Sequence, residues 1–125
     1  MTRLSPALLL AAGSILAGLA VAIGAFGAHG LRALVTPERL ATFETGVRYH
    51  FYHAVAIVLA ALVARAWPDA AAPRIASLLF LLGIALFSGS LYLLVLTDTP
   101  SWGAVAPFGG IAFLAGWAVL AWSTR

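Results

Sequence analysis

The sequence of 125 residues has no cysteine, and only 9% of its residues are charged. Without cysteine there is no disulfide framework, no thiolate metal site and no thiol chemistry. An average soluble domain carries about a quarter charged residues, so charge is depleted almost threefold here. The seven arginines and four acids cannot cover the surface of a water-soluble globule of 13.0 kDa, which nearly excludes a soluble enzyme domain. Disorder is excluded more firmly, because it needs low hydrophobicity and high charge, whereas 63% of this chain is hydrophobic. The net charge of +3 suggests no nucleic-acid partner: the arginines stand singly, form no patch, and read as membrane-interface anchors.

What the sequence has instead is apolar length. Between Arg3 and Arg32 lie 28 uncharged residues, between Arg48 and Arg65 16, between Arg74 and Asp98 23, and between Asp98 and Arg125 26. A helix needs about 20 apolar residues to cross a hydrocarbon core of about 30 Å. Three windows qualify outright. The second does so if Arg65 snorkels and the helix runs back through Arg48. Spans are expected near 7–29, 47–66, 75–96 and 105–122, within a single transmembrane domain over 1–125. The first apolar stretch exceeds the 7–15 residues of a signal-peptide core, so it reads as a span. Short connections make the expected all-α fold an integral membrane four-helix up-down bundle.

The longest connection carries a helix start. Thr36 suits an N-cap, Pro37 the first turn and Glu38 the positive end of the dipole. Leu40, Phe43, Val47 and Phe51 then recur at helical spacing, and Glu44 and Arg48 stand at i and i+4 where an ion pair is possible. Segment 37–46 is expected as a short interfacial helix between spans 1 and 2, the alternative being an extension of span 2 with a bend at Gly46. Arginines beside the spans count four (Arg3, Arg65, Arg74, Arg125) against three (Arg32, Arg39, Arg48), which places both termini in the cytoplasm.

Small residues recur four apart: Ala20, Gly24 and Ala28; Gly18 and Ala22; Ala85 and Gly89; Ala112 and Gly116. Such ridges hold helices together in lipid, either within a bundle or between copies in a homo-oligomer. Polar residues inside spans are sharper clues, since they are costly in hydrocarbon. An up-down topology gathers His29, Tyr49, His50, His53, Ser88, Ser90, Tyr92 and the Pro107–Gly110 segment in one leaflet half, with Glu44, Arg48 and Asp98 above them. Three readings compete: a hydrogen-bonded knot that sets helix register, a site for a small molecule, proton or lipid headgroup, and a metal or haem site. His29, His50 and His53 are the metal candidates, and no zinc signature is complete. Ser88 or Ser90 with His53 is a conceivable nucleophile pair, but no acid at membrane depth would orient the histidine.

Four ordered motifs also resemble a known family. They are Gly24-Ala25-Phe26-Gly27-Ala28-His29-Gly30-Leu31; Thr45-Gly46-Val47-Arg48-Tyr49 with His53; Leu86-Phe87-Ser88-Gly89-Ser90-Leu91-Tyr92; and Pro107-Phe108-Gly109-Gly110 with Gly116-Trp117. Together they are similar to domain of unknown function 423, a family of small bacterial inner-membrane proteins with eukaryotic relatives. The resemblance implies a four-helix multi-pass protein of the inner (plasma) membrane with no established activity, cofactor or substrate. His50 departs from the pattern, where glutamine is common, which weakens a two-histidine metal site.

The sequence thus predicts a non-enzymatic membrane component, without a cofactor, that packs or binds through a polar half-core. The binding candidates are His29, Glu44, Tyr49, His53, Ser88, Ser90 and Tyr92. The expected partners are the lipid bilayer and further copies of the chain. A solute or proton carrier built from several copies is the alternative, and a metal or haem protein the third.

Overall fold

The computed structural model describes residues 4–123. Four helices long and apolar enough to cross a membrane follow one another. They are α1 (Pro6–His29), α2 (Pro37–Ala66), α3 (Ala72–Thr97) and α4 (Ala106–Trp122), with 3-10 turns at Leu31–Ala33 and Pro100–Ala104. There is no strand among the described residues. Of the arginines used to orient the chain, Arg3 and Arg125 lie outside these residues.

Local chemistry sets the helix starts. The Ser5 hydroxyl accepts from the Leu8 N–H at 3.1 Å and Pro6 opens α1. The Thr36 hydroxyl accepts from the Arg39 N–H at 3.3 Å, Pro37 opens α2, and Glu38 lies in its first turn. Each cap satisfies an otherwise orphaned donor. At the other end of α3, Asp98 turns left-handed with φ 49°, and the Thr99 N–H reaches the Leu94 carbonyl at 3.0 Å.

Segment 37–46 differs from the separate interfacial helix expected of it. It forms the first turns of one 30-residue helix that passes through Gly46 without a break. Tertiary packing explains the continuity. The Phe43 ring lies within 3.0 Å of the Cβ position at Gly27, and Gly46 sits beneath the Tyr92 ring. Both residues are buried, so a bend between them would pull α2 off two neighbours at once. At 1.5 Å per residue α2 is about 45 Å long, longer than the hydrocarbon core, so one end stands in the interface.

α2 lies between α1 and α3, and α4 packs on α3. The α3–α4 seam is a reciprocal interlock of phenylalanine and glycine. Phe80 fills the space over Gly116, Phe113 the space over Gly83, and Phe87 the space over Gly109, in one constant antiparallel register. A Cβ at Gly109 would stand 2.3 Å from the Phe87 backbone nitrogen. That backbone belongs to a π turn at Ile84–Ser88, where the Gly89 N–H bonds the Ile84 carbonyl. The π turn adds a residue to one turn of α3 and accompanies its close approach to α4; such turns are frequent at functional sites.

The small-residue ridges divide between two roles. Ala20 and Gly24 face α2, and Ala112 and Gly116 face α3. Gly18 and Ala22 are exposed, and a Cβ at Gly18 would meet nothing within 4 Å. Ala85 is exposed as well. At the end of the bundle away from Asp98, Arg74 is a staple. Its guanidinium donates to the carbonyls of Leu4 (2.9 Å), Ala70 (2.9 Å) and Pro68 (3.1 Å), tying α1 to the α2–α3 connection.

Candidate functional site

His53 sits on α2, 5% exposed, at the centre of an aromatic box. Its ring stacks on Phe113 at 3.5 Å and 10°, with Phe80 and Trp117 at 5.6 and 5.9 Å. The Trp117 indole, which can only donate, gives its N–H to His53 Nε2 at 3.0 Å. Nε2 is therefore the unprotonated nitrogen, and Nδ1–H donates to the Tyr49 carbonyl at 2.8 Å. Both ring nitrogens are taken and the imidazole is the neutral Nδ1–H tautomer. No lone pair is left for a metal and none for activating a hydroxyl.

One turn earlier on the same helix, His50 Nδ1 lies 2.8 Å from the Tyr92 hydroxyl of α3. His50 is buried, and its Nε2 has no hydrogen-bond partner. The ring's other polar interaction is with the Leu16 backbone on α1, outside hydrogen-bond geometry. Tyr92 also packs on Phe43, with centroids 5.1 Å apart. The Ser88 hydroxyl donates to the Gly46 carbonyl at 2.6 Å, a second polar tie between α2 and α3. The Ser90 hydroxyl turns back on its own helix, to Phe87 O at 2.8 Å.

Of the residues predicted as one site, Tyr49, His53, Ser88 and Tyr92 do line the α2 seams, and Tyr49 packs against Phe87 at 4.8 Å. His29 and Glu44 do not join them: both are exposed, His29 at the last residue of α1. Glu44 and Arg48 form no ion pair, because the Arg48 guanidinium donates to the Thr45 hydroxyl instead. The ion pair of the described residues is Arg39 with Asp98 at 3.4 Å, across α2 and the end of α3. Neither serine hydroxyl touches His53, so the conceivable nucleophile pair is not assembled. Among the described residues no three of His, Asp and Glu come together as metal ligands would. The metal candidates are separated: His29 is exposed at the end of α1, while His50 and His53 bond to protein groups on α2 and α3 or α4.

Trp117, Phe113 and Phe80 are the partners that residue patterning did not place. A signal for the first existed. Tryptophan in a membrane protein belongs at the interface, and one inside a span carries an N–H that must find an acceptor at depth. Tyr49, His53, Phe87, Pro107 and Trp117 also border a groove of about 510 Å³ between α2, α3 and α4.

Four apolar helices joined by polar ties within the bundle define a multi-pass helical membrane protein. The chain belongs to the family described as Protein of unknown function (DUF423), whose model matches residues 23–110. That match covers the first three motifs and reaches Gly110 of the fourth. The chain is 43% identical to the UPF0382 membrane protein YwdK of Bacillus subtilis, over 86% of this chain and 88% of that one. It is 38% identical to a UPF0382 membrane protein of Haemophilus influenzae, over 83% and 82%. It is 40% identical to the UPF0382 inner membrane protein YgdD of Escherichia coli, over 80% and 76%. No solved structure matches the chain.

Proposed function

We propose that this protein is a non-enzymatic component of the inner membrane that acts by assembling with further copies of itself. The observation that carries the reading is the saturation of His53. With Trp117 on one nitrogen and the Tyr49 carbonyl on the other, this buried histidine at α2's centre serves register and not chemistry. The polar half-core is then a knot, and the surface left for function faces outward. α1 supplies that surface. Ala11, Ser14, Gly18, Ala22 and Ala25 recur along its exposed side, and Gly18 has no neighbour within the bundle. A face of small residues lets two backbones approach closely where lipid offers no hydrophobic drive.

The mass of the purified complex, measured by light scattering with the detergent contribution subtracted, tests this. Wild type is expected to contain more than one copy. Gly18→Leu is expected to contain one, with stability changed by no more than about 0.5 kcal/mol, since the site is outside the fold's own packing. A single-copy wild type overturns the proposal.

A further inference from the structure

At the charged end of the molecule a cleft of about 750 Å³ opens between the α1–α2 connection, the first turns of α2 and the C-terminal end of α3. It lies where α1 and α3 end, hence at the boundary between hydrocarbon and headgroups. Its apolar lining includes Phe26, Leu34 and Leu96, and Leu34 is 76% exposed. Its charged lining is Glu38, Arg39 and Asp98.

The guanidinium of Arg39 is underused. Its side chain is two-thirds withdrawn from solvent, at 32% exposure, yet its one ion-pair contact is a single 3.4 Å approach to Asp98. A guanidinium carries five N–H donors in a fork that matches phosphate oxygens. Asp98 keeps its side chain 85% exposed while its backbone is left-handed at the end of α3. The cleft therefore offers one forked cation beside two carboxylates, and sets them against exposed apolar side chains.

We propose that this cleft holds the headgroup of a zwitterionic phospholipid with a primary ammonium. The phosphate bonds Arg39, the ammonium bonds the carboxylates of Glu38 and Asp98, and the glycerol and upper chains lie along Leu34, Phe26 and Leu96. Charge complementarity selects this occupant. A phosphatidylglycerol headgroup would satisfy Arg39 but bring no cation to the two carboxylates, and a choline headgroup has no N–H to donate to them.

The test uses the full chain purified in detergent and native mass spectrometry of retained lipid. Dioleoyl phosphatidylethanolamine, phosphatidylglycerol and phosphatidylcholine are titrated separately. Wild type is expected to retain phosphatidylethanolamine about tenfold more tightly than phosphatidylglycerol. Arg39→Gln is expected to weaken all three lipids about tenfold. The Glu38→Gln/Asp98→Asn double variant should erase the preference for phosphatidylethanolamine and leave phosphatidylglycerol retention intact. Leu34→Glu, at a site whose exposure leaves the fold unaffected, should weaken phosphatidylethanolamine retention without changing the melting temperature, even if Arg39→Gln fails to fold. Equal retention of phosphatidylethanolamine and phosphatidylglycerol by wild type overturns the proposal, as does wild-type retention by Leu34→Glu. Displacement of the lipid by millimolar inorganic phosphate would assign the cleft to a free anion and overturn it too.

Discussion

α4 is held to the bundle by the Trp117–His53 bond and by three phenylalanine–glycine pairs with α3. α1 meets α2 through Gly13, Ala20, Gly24 and Gly27, and the polar approach between them is that of the His50 ring to the Leu16 backbone, outside hydrogen-bond geometry. The most apolar window of α1 is 17% buried within the chain, against 28% for α4. Both helices are peripheral, yet one is keyed in place along its middle, while the other is stapled by Arg74 at its N-terminal end and otherwise leans. Small residues give close approach without direction, whereas an indole N–H aimed at an imidazole nitrogen accepts one rotation of the helix and no other. A helix that leans is the one with a face to spare for a partner.

That contrast can be broken from either side. The largest effect is expected from Gly109→Leu, where the side chain would enter the Phe87 backbone. Overpacking against backbone cannot be relieved by a rotamer change, so a loss of about 3 kcal/mol or more is expected by thermal unfolding in detergent. A stable Gly109→Leu protein would mean that α4 is not keyed to α3. His53→Ala should follow at about 2–3 kcal/mol, because it leaves a cavity beside Phe113 and an indole N–H without an acceptor. Here the same melting experiment decides, and an unchanged melting temperature would sink the knot.

On the α1 side, a Cβ at Gly13 would stand 2.9 Å from the Val58 Cγ2 and 3.0 Å from the Ala54 carbonyl. Gly13→Leu is expected to cost about 1–2 kcal/mol, since α1 can shift as a body where α4 cannot. Hydrogen exchange localises it: faster exchange in α1 with α3 and α4 unchanged is the predicted pattern, and a global change would show that α1 is keyed as well. The smallest effect belongs to Trp117→Phe, which keeps most of the ring and removes one bond. About 1 kcal/mol is expected by the same unfolding measurement. A loss as large as that of His53→Ala would place the stability in the indole ring's packing and not in its hydrogen bond.

Much of this fold is legible in the order of residues. Charge spacing alone marks four membrane helices, because a charged side chain at bilayer depth is costly and ends a span. Thr36-Pro37-Glu38 announces the start of α2 from side-chain chemistry that acts within one turn. The candidate site was legible only in part. His53, Tyr49, Ser88 and Tyr92 could be placed at one depth from topology, but depth is not direction. His29 shares that depth and yet points outward, and Ser90 spends its hydroxyl on its own helix. The π turn at Ile84–Ser88 has no local signature strong enough to read, and it shifts every residue after it on α3.

The sequence by itself determined that this chain lives in a membrane and crosses it as four helices, since both follow from transfer free energies summed over residues. Only the tertiary structure decided which ridges face inward, that segment 37–46 continues α2, and that both ring nitrogens of His53 bond within the bundle. Those outcomes depend on helix rotation and register, which are set by contacts between residues such as His53 and Trp117 that lie 64 positions apart.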